Sequence, residues 1–532
     1  MSSQSQSSLR LSPKHSDSSY YDSISQSLYH QLRPMVINSD HNEGSQSLYL
    51  PPFLPLDVIN DKITKDRVNS TTSSLTPIYK SFRSSQVAKR ARKVFAILGL
   101  YEEEAAIWDL FDDGLIDEDL PLARQKADWK SDSCRVLVSC RGREFNAFSR
   151  VMKSRAITDF LQEQWLVLAP VFAMQGEHIC VDRQSPLPFY DIKRISPNYI
   201  STVYKGLLHA AHLIPEAKDP VQIAIKDYVE EKDFIREKQN LVAIQDLKHP
   251  HLVRHIATVQ QGSRFYVIFP WADGGNLSDF WKRDPDALQT RDPALFMWSL
   301  QQMHGIVKAL SALHGVNCRH GDLKPENILH FQTSSDPAVE NKQYGALVIA
   351  DVGVSRVHSQ ATEFRSNPTN TNATTLCYEA PEAEYDKHSP RRRRYDMWSV
   401  GCVFTEFVIW LLYGERAISE FRSLRRREDD QFPQKGAYYR STRGTTEVHP
   451  VVRRAFDTLV TDPRCGKGTG LAELVSLITN DLIVIDPGER AEAGELEEKF
   501  ENIVQKAKEN PDYLIRKVEP PCRTPDIFIP GG

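Results

Sequence analysis

The hydrophobic pattern divides the chain. Through residues 1–84 apolar positions are sparse and hold no sustained period. The apolar stretch Leu48–Leu56 is interrupted by Pro51, Pro52 and Pro55, so it reads either as an extended strap docked on a domain or as an unstructured linker. From Ser85 a helical period begins, with Val87, Ala91, Val94, Phe95 and Leu98 on one face and Gly99 as its stop. Glu102–Asp113 repeats the pattern through Ile107, Leu110 and Phe111 and ends before Gly114. Arg135–Cys140 and Trp165–Phe172 read as strands or buried runs. Two prolines within Ser185–Lys193 mark a boundary, beyond which Val221–Lys226 and Arg264–Trp271 read as strands and Lys232–Leu247 as a helix. Leu295–Leu313 is a long amphipathic segment, Ala346–Ala350 a short buried strand, and a long apolar helix follows Tyr395–Cys402.

Composition refines this division. A chain of 532 residues has room for two or three domains. Twelve of the first thirty residues are Ser, too polar to repay their ordering entropy, so residues 1–84 are expected to be disordered. Residues 85–182 form a small α+β module without metal spacing, nucleophile–base pair or phosphate loop; its position alone suggests a regulatory partner or control of the next domain. The acidic run Asp112–Asp119 is most simply a solvated loop. A net charge of −4 gives no bulk electrostatic case for nucleic acid or an anionic membrane, and neither is expected as a partner. The eight cysteines form no CxxC pair, which fits reduced thiols and an intracellular chain, cytoplasmic or nuclear. Val403–Tyr413 is short and carries Glu406, so it is not expected to span a bilayer. The N-terminus lacks an apolar signal core; its Ser content resembles a transit peptide only faintly, without an amphipathic Arg-rich helix.

The chemistry concentrates in residues 318–329, Cys-Arg-His-Gly-Asp-Leu-Lys-Pro-Glu-Asn-Ile-Leu. Asp322 can accept a proton from an attacking hydroxyl, Lys324 can neutralise charge on a phosphoryl group in flight, and the Asn327 amide oxygen can hold Mg2+. This stretch resembles the catalytic loop of eukaryotic protein kinases, with Gly321 where the family usually has Arg, and its Lys-Pro-Glu interior resembles the serine/threonine branch.

Further pieces carry the same resemblance from about Phe189 to Ile503, in the family's order, with an overall pattern similar to divergent kinases of filamentous fungi. Ile195–Gly206 resembles the strand–turn–strand over the ATP phosphates, although Ser196, Asn198 and Ser201 stand at the three glycine positions and Pro197 removes a backbone donor. Lys226 ends a strand similar to Val-Ala-Ile-Lys, whose lysine grips the α and β phosphates; an edge-strand lysine is the bland alternative. Glu237 is the expected partner orienting Lys226, with Glu230 and Glu231 as alternatives. The resemblance also implies Val203, Ala224 and Phe269, the last at the gatekeeper position, as ATP-site residues. Pro270 replaces an acidic hinge residue, and Ala272 would offer its backbone to adenine. Asp351-Val352-Gly353 resembles Asp-Phe-Gly, with Asp351 as a second metal ligand. Thr369, Thr371, Thr374 and Thr375 are candidate phosphoacceptors in a segment that reads equally as a flexible polar loop. Ala380-Pro381-Glu382 and Asp396-Met397-Trp398-Ser399-Val400-Gly401 match two further motifs. Asp396 is expected to hold catalytic-loop N–H groups, and Arg490 to pair with Glu382. Arg391–Arg394 and Arg425–Arg427 read as solvated basic faces rather than docking sites.

The resemblance implies a bilobal α+β fold, with a small β-rich N-lobe and a larger helical C-lobe over residues 189–503, followed by a tail at 504–532. It implies ATP and Mg2+ as cofactors, a protein substrate, and γ-phosphoryl transfer to serine or threonine hydroxyls. Two other readings stand beside it. The altered glycines, Gly321, Pro270 and Val352 would suit a pseudokinase scaffold, and His-Gly-Asp-x-x-x-x-Asn also occurs in small-molecule phosphotransferases.

Overall fold

A computed structural model describes residues 27–38, 48, 50–125, 136–197, 200–283, 293–332, 344–352, 376–385, 393–429, 436–442, 445–516 and 523–529. It divides into two compact units, Met1–Glu231 with His255–Pro270, and Lys232–Arg254 with Trp271–Gly532. The first carries the main sheet and the second is mostly helical, in keeping with the expected α+β organisation.

The first unit has two cores. One is built around helices Pro77–Arg90 and Arg92–Gly99, where the sequence predicted a single helix; Ala91, at φ −134° and ψ 33°, separates them. Glu104–Ala106 is a 3-10 turn leading into helix Ile107–Asp112, and Gln164–Val167 is 3-10 helix instead of strand. Strands β1 (Leu122–Arg124), β2 (Leu137–Ser139) and β3 (Glu144–Phe145) make a small antiparallel sheet.

Disorder across residues 1–84 is corrected where the chain is described; residues 1–26 lie outside the described residues. Helices occupy Leu28–Leu32, Leu56–Lys62 and Lys65–Ser70, the last capped by Thr64, whose side chain accepts the Arg67 N–H. The apolar residues here are few, but Leu28, Leu32, Leu54, Ile59, Ile63 and Val68 are all buried in one core with Val87, Val94 and Phe95. Tertiary burial thus offsets an entropy cost that local composition could not. The acidic run is also corrected, because its carboxylates serve as internal acceptors. Asp119 is fully buried with Arg143 at 3.0 Å, Asp113 accepts the Ala147 N–H, and Asp117 accepts the Val94 N–H. Burial raises the Asp117 carboxyl to about 6 against the pull of the Lys93 and Val94 N–H groups.

The second core belongs to a six-stranded sheet, in the order β4-β8-β9-β7-β6-β5. Its strands are β4 (Glu177–Val181), β5 (Phe189–Pro197), β6 (Ser201–Leu208), β7 (Val221–Tyr228), β8 (Ala257–Gln261) and β9 (Arg264–Pro270). All pairs are antiparallel except β4 with β8, so residues assigned by sequence to the 85–182 module form one edge of the main sheet.

The strap reading of Leu48–Leu56 is the one observed. Leu48 and Leu50 are buried among Phe172, Phe189, Tyr266 and Ile268. Leu54 N–H donates to Leu166 O at 2.7 Å, and Phe53 meets the His209 and His212 rings edge-on. His212 is the pin. Its Nε2 accepts the Leu56 N–H at 3.1 Å, and its Nδ1 lies 2.9 Å from Pro170 O.

In the second unit, helices Pro293–Gly315, Arg394–Tyr413 and Ala493–Glu509 share one core. Arg394–Tyr413 is long and apolar enough to cross a membrane by composition, but its apolar window is wholly buried in the protein. The expected tail at 504 is corrected, because Val504, Ala507, Leu514 and Phe528 all belong to this core.

Burial lowers the His212 imidazolium pKa to about 4, well below that of an exposed histidine. The unfolded chain therefore takes up a proton that the folded chain refuses, and stability falls as pH drops from about 6.5 to about 4, by up to about 3 kcal/mol. Urea unfolding at stepped pH should show wild type losing more over this window than His212→Gln. Parallel losses would show that His212 does not carry the effect.

Candidate active site

The candidate residues fall in both units. In the sheet, β5 and β6 form a hairpin in which Ser196 faces Val203 and Pro197 faces Thr202, with register shifts lower in β5. Asn198 lies outside the described residues. Ser196 is exposed, whereas Ser201 opens β6 and is buried. Lys226 sits on β7 between Val203 of β6 and Val267 of β9, its ammonium 5.5 Å from the Tyr228 ring. It is therefore flanked by strands on both sides and is no edge-strand lysine. Ala224 is the cross-strand partner of Phe269.

In the helical unit, Glu237 is the buried carboxylate of helix Glu231–Ile244, while Glu230 and Glu231 are exposed. The Ala272 carbonyl accepts the Gly275 N–H at 3.0 Å, so one of its two lone pairs is committed.

The catalytic-loop candidates form one constellation. Lys324 Nζ donates to Asp322 Oδ2 at 2.8 Å. Asn327 Nδ2 donates to the Asp322 carbonyl at 2.8 Å and lies 3.3 Å from Oδ2. Among the described residues Asn327 Oδ1 accepts no hydrogen bond, leaving it as an oxygen donor for a cation. A 3-10 turn, Pro325–Asn327, feeds β10 (Ile328–Phe331), which pairs with β11 (Ala346–Ile349). Ala350 follows β11; its N–H donates to Asn327 O at 2.9 Å, and its carbonyl lies 2.8 Å from His320 Nε2. The next residue, Asp351, adopts left-handed φ +57° directly beside that junction. Val352 is buried in the core, filling the packing position at which the family has Phe.

Beneath this loop lies Asp396, fully buried at the start of helix Arg394–Tyr413. It accepts the His320 and Gly321 N–H groups, each at 2.8 Å, and lies 3.0 Å from His314 Nε2. Burial alone would raise its carboxyl, but the hydrogen bond and charge of His314, with the Gly321 N–H, hold it below the ordinary value. Gly321 has φ +80°, a backbone that glycine takes without strain. The Arg490 guanidinium grips both oxygens of Glu382, at 2.7 and 2.8 Å. Gly353 and the four candidate phosphoacceptor threonines lie outside the described residues.

Sequence reasoning missed a second buried charge system. Glu406, in the middle of the apolar helix, accepts Arg422 at 2.7 and 3.0 Å, Arg425 at 3.2 Å and the Tyr378 hydroxyl at 2.8 Å. Burial pushes its carboxyl up, yet the two guanidinium groups prevail and bring it down to about 2. Ser399 Oγ adds a hydrogen bond to the Tyr378 carbonyl, so this system fixes the chain just before Ala380-Pro381-Glu382. Arg425 is almost fully buried, which corrects its reading as part of a solvated basic face. The signal was present in Glu406 interrupting an apolar run, but its arginines follow in the next helix, Glu415–Arg427.

A family model described as protein kinase domain matches residues 201–492. The human serine/threonine-protein kinase Nek5 is 26% identical over 211 residues, covering 39% of this chain and 27% of that protein. Cyclin-dependent kinase 2 of Caenorhabditis elegans is 29% identical over 226 residues, covering 41% and 53%. A calcium/calmodulin-dependent protein kinase of Metarhizium anisopliae is 28% identical over 191 residues, covering 36% and 44%. The chain thus spans about half or less of the length of each of these relatives.

Glu406→Gln would leave two arginines without their buried counter-charge and should destabilise the protein by about 3–5 kcal/mol. Urea unfolding at neutral pH reads this directly; a loss below about 1 kcal/mol would mean that the arginines find other partners.

Proposed function

The chain belongs to the protein kinase family, and from that premise we propose that it transfers the γ-phosphoryl group of ATP to serine or threonine hydroxyls of protein substrates. One observation carries the proposal: Asp322, Lys324 and Asn327 converge within hydrogen-bonding distance on a loop clamped by Asp396. In a pure scaffold that convergence of a carboxylate, an ammonium and an amide would have no chemical use.

Asp322 orients the attacking hydroxyl and accepts its proton. Lys324 stands beside that carboxylate and stabilises charge on the transferred group. Lys226 holds the nucleotide phosphates from the middle of the sheet. Asn327 Oδ1 and the Asp351 carboxylate are hard oxygen donors suited to Mg2+, which when bound would neutralise phosphate charge. Most of the rate enhancement in such a site comes from positioning and electrostatics rather than covalent chemistry. Ala380-Pro381-Glu382, held through Glu382, and residues 396–401 favour a protein substrate over a small alcohol, because the motifs they match build the family's peptide-binding lobe. We place the chain inside the cell on the basis of its cysteine usage.

The test is labelled-phosphate transfer from Mg-ATP to the chain itself and to a generic basic protein, beside small alcohols. Asp322→Asn and Asp351→Asn should each lower transfer by at least about a hundredfold. Wild-type inactivity, with a thermal shift from Mg-ATP or without one, would instead support the pseudokinase reading. Because Gly321 supplies no guanidinium for an activation-segment phosphate, phosphatase-treated and untreated samples should be equally active. A large loss on dephosphorylation would refute that expectation.

A further inference from the structure

The edge strand β4 carries an arrangement unrelated to phosphoryl transfer. His178 and Cys180 alternate along β4, so both point to one face, and both are exposed. Cys180 Sγ lies 3.3 Å from His178 Nε2. On the other side of the ring, His178 Nδ1 lies 2.9 Å from the hydroxyl of Thr258, its direct register partner on β8. A thiol, an imidazole and a hydroxyl are therefore aligned, with the ring fixed by a buried residue of the neighbouring strand.

We propose that Cys180, activated by His178 and oriented through Thr258, is a thiol-modification site for small electrophiles and hydroperoxides. In the tautomer whose Nδ1–H donates to Thr258 Oγ1, His178 presents a lone pair at Nε2 to the thiol proton. In alkylation by iodoacetamide, the sulfur–carbon bond forms as the carbon–iodine bond breaks. Iodide departs and the thiol proton passes to His178. With hydrogen peroxide, the sulfur–oxygen bond forms as the oxygen–oxygen bond breaks. His178 returns the proton to the departing hydroxide, giving a cysteine sulfenic acid and water.

The chain supplies its own comparison. Cys140 is also exposed, but its Sγ lies 3.4–3.9 Å from the carbonyl oxygens of Leu120, Asp119 and Glu118. The Cys140 thiol faces carbonyl oxygens, which can accept its hydrogen bond but not take its proton, whereas the Cys180 thiol faces an imidazole nitrogen that can act as a base. Exposure is thus shared, and the neighbouring base is the difference.

The experiment is time-resolved iodoacetamide labelling of the full native chain at pH 7, with each cysteine-containing peptide quantified by mass spectrometry. Cys180 should react at least about tenfold faster than Cys140, and His178→Gln should bring the two within about threefold. Thr258→Val should give an intermediate rate. The ratio should collapse to near one in denaturant, showing that the folded arrangement creates the difference. After hydrogen peroxide, a sulfenic-acid probe should mark Cys180 and spare Cys140. Similar wild-type rates at the two cysteines, or a Cys180 rate unchanged in folded His178→Gln, would overturn the proposal. His178 is exposed, so its substitution should leave the fold intact, and a thermal melt checks this. Neither readout depends on phosphoryl transfer.

Discussion

The buried carboxylate of Asp396 is the constraint on which the geometry of the candidate catalytic loop rests. It takes two consecutive backbone N–H groups from the loop, His320 and Gly321, and meets the side chain of His314. A charged acceptor is worth more than a neutral one, and in a dry interior its geometry is stricter. Fixing residues 320 and 321 fixes Asp322 by continuity. His320 then extends the constraint, because its ring meets the Ala350 carbonyl on one side and the Asp322 N–H on the other. One ion thus sets the loop's position and, through one imidazole, the backbone from which Asp351 departs.

The departures from the family's motifs look less damaging in this setting. Gly321 gives up a guanidinium, but its positive φ suits glycine, and the N–H donated to Asp396 needs no side chain. Val352 is smaller than Phe yet remains buried in the same core. Elsewhere the molecule invests in buried ions, with Glu382 held by Arg490 and Glu406 by Arg422 and Arg425. Pairs of this kind add little net stability over a hydrophobic alternative, but they penalise every arrangement that separates them. Both flank the chain at Tyr378–Glu382, where a defined backbone has more use than extra stability.

The grouping of the motif residues was legible because their spacing is local. Asp322, Lys324 and Asn327 lie within one turn and loop, so their nearness could be read from spacing alone, while the clamp from Asp396 that holds the loop could not. The helix over Leu295–Leu313 and the one after Tyr395 were legible from their length and largely apolar content, and the second is buried on every side. What sequence hid depends on distant partners. Nothing near Leu48 or Leu50 announces a sheet core, and nothing near Glu177–Val181 announces a parallel partner at Ala257–Gln261. Asp119 and Arg425 looked like surface charge because their counter-ions, Arg143 and Glu406, are remote in sequence. The Cys180–His178 contact was two residues long yet unremarked, since its meaning requires Thr258 of another strand.

The strap also bears on the order in which the chain acquires structure. Leu48 and Leu50 find their neighbours among Phe189, Tyr266 and Ile268, and so have no home until β9 has been made. Loop-closure entropy rises only slowly with length, so this long connection costs the finished fold little. Its cost falls on kinetics: contacts between distant segments form late and slow the search. The helical core around Val87–Leu98 can assemble early from nearby sequence, while the main sheet must wait for residues on both sides of it. A chain emerging from the ribosome would therefore hold an apolar strap exposed through the synthesis of the strands that eventually cover it, the interval in which a chaperone would have most to protect.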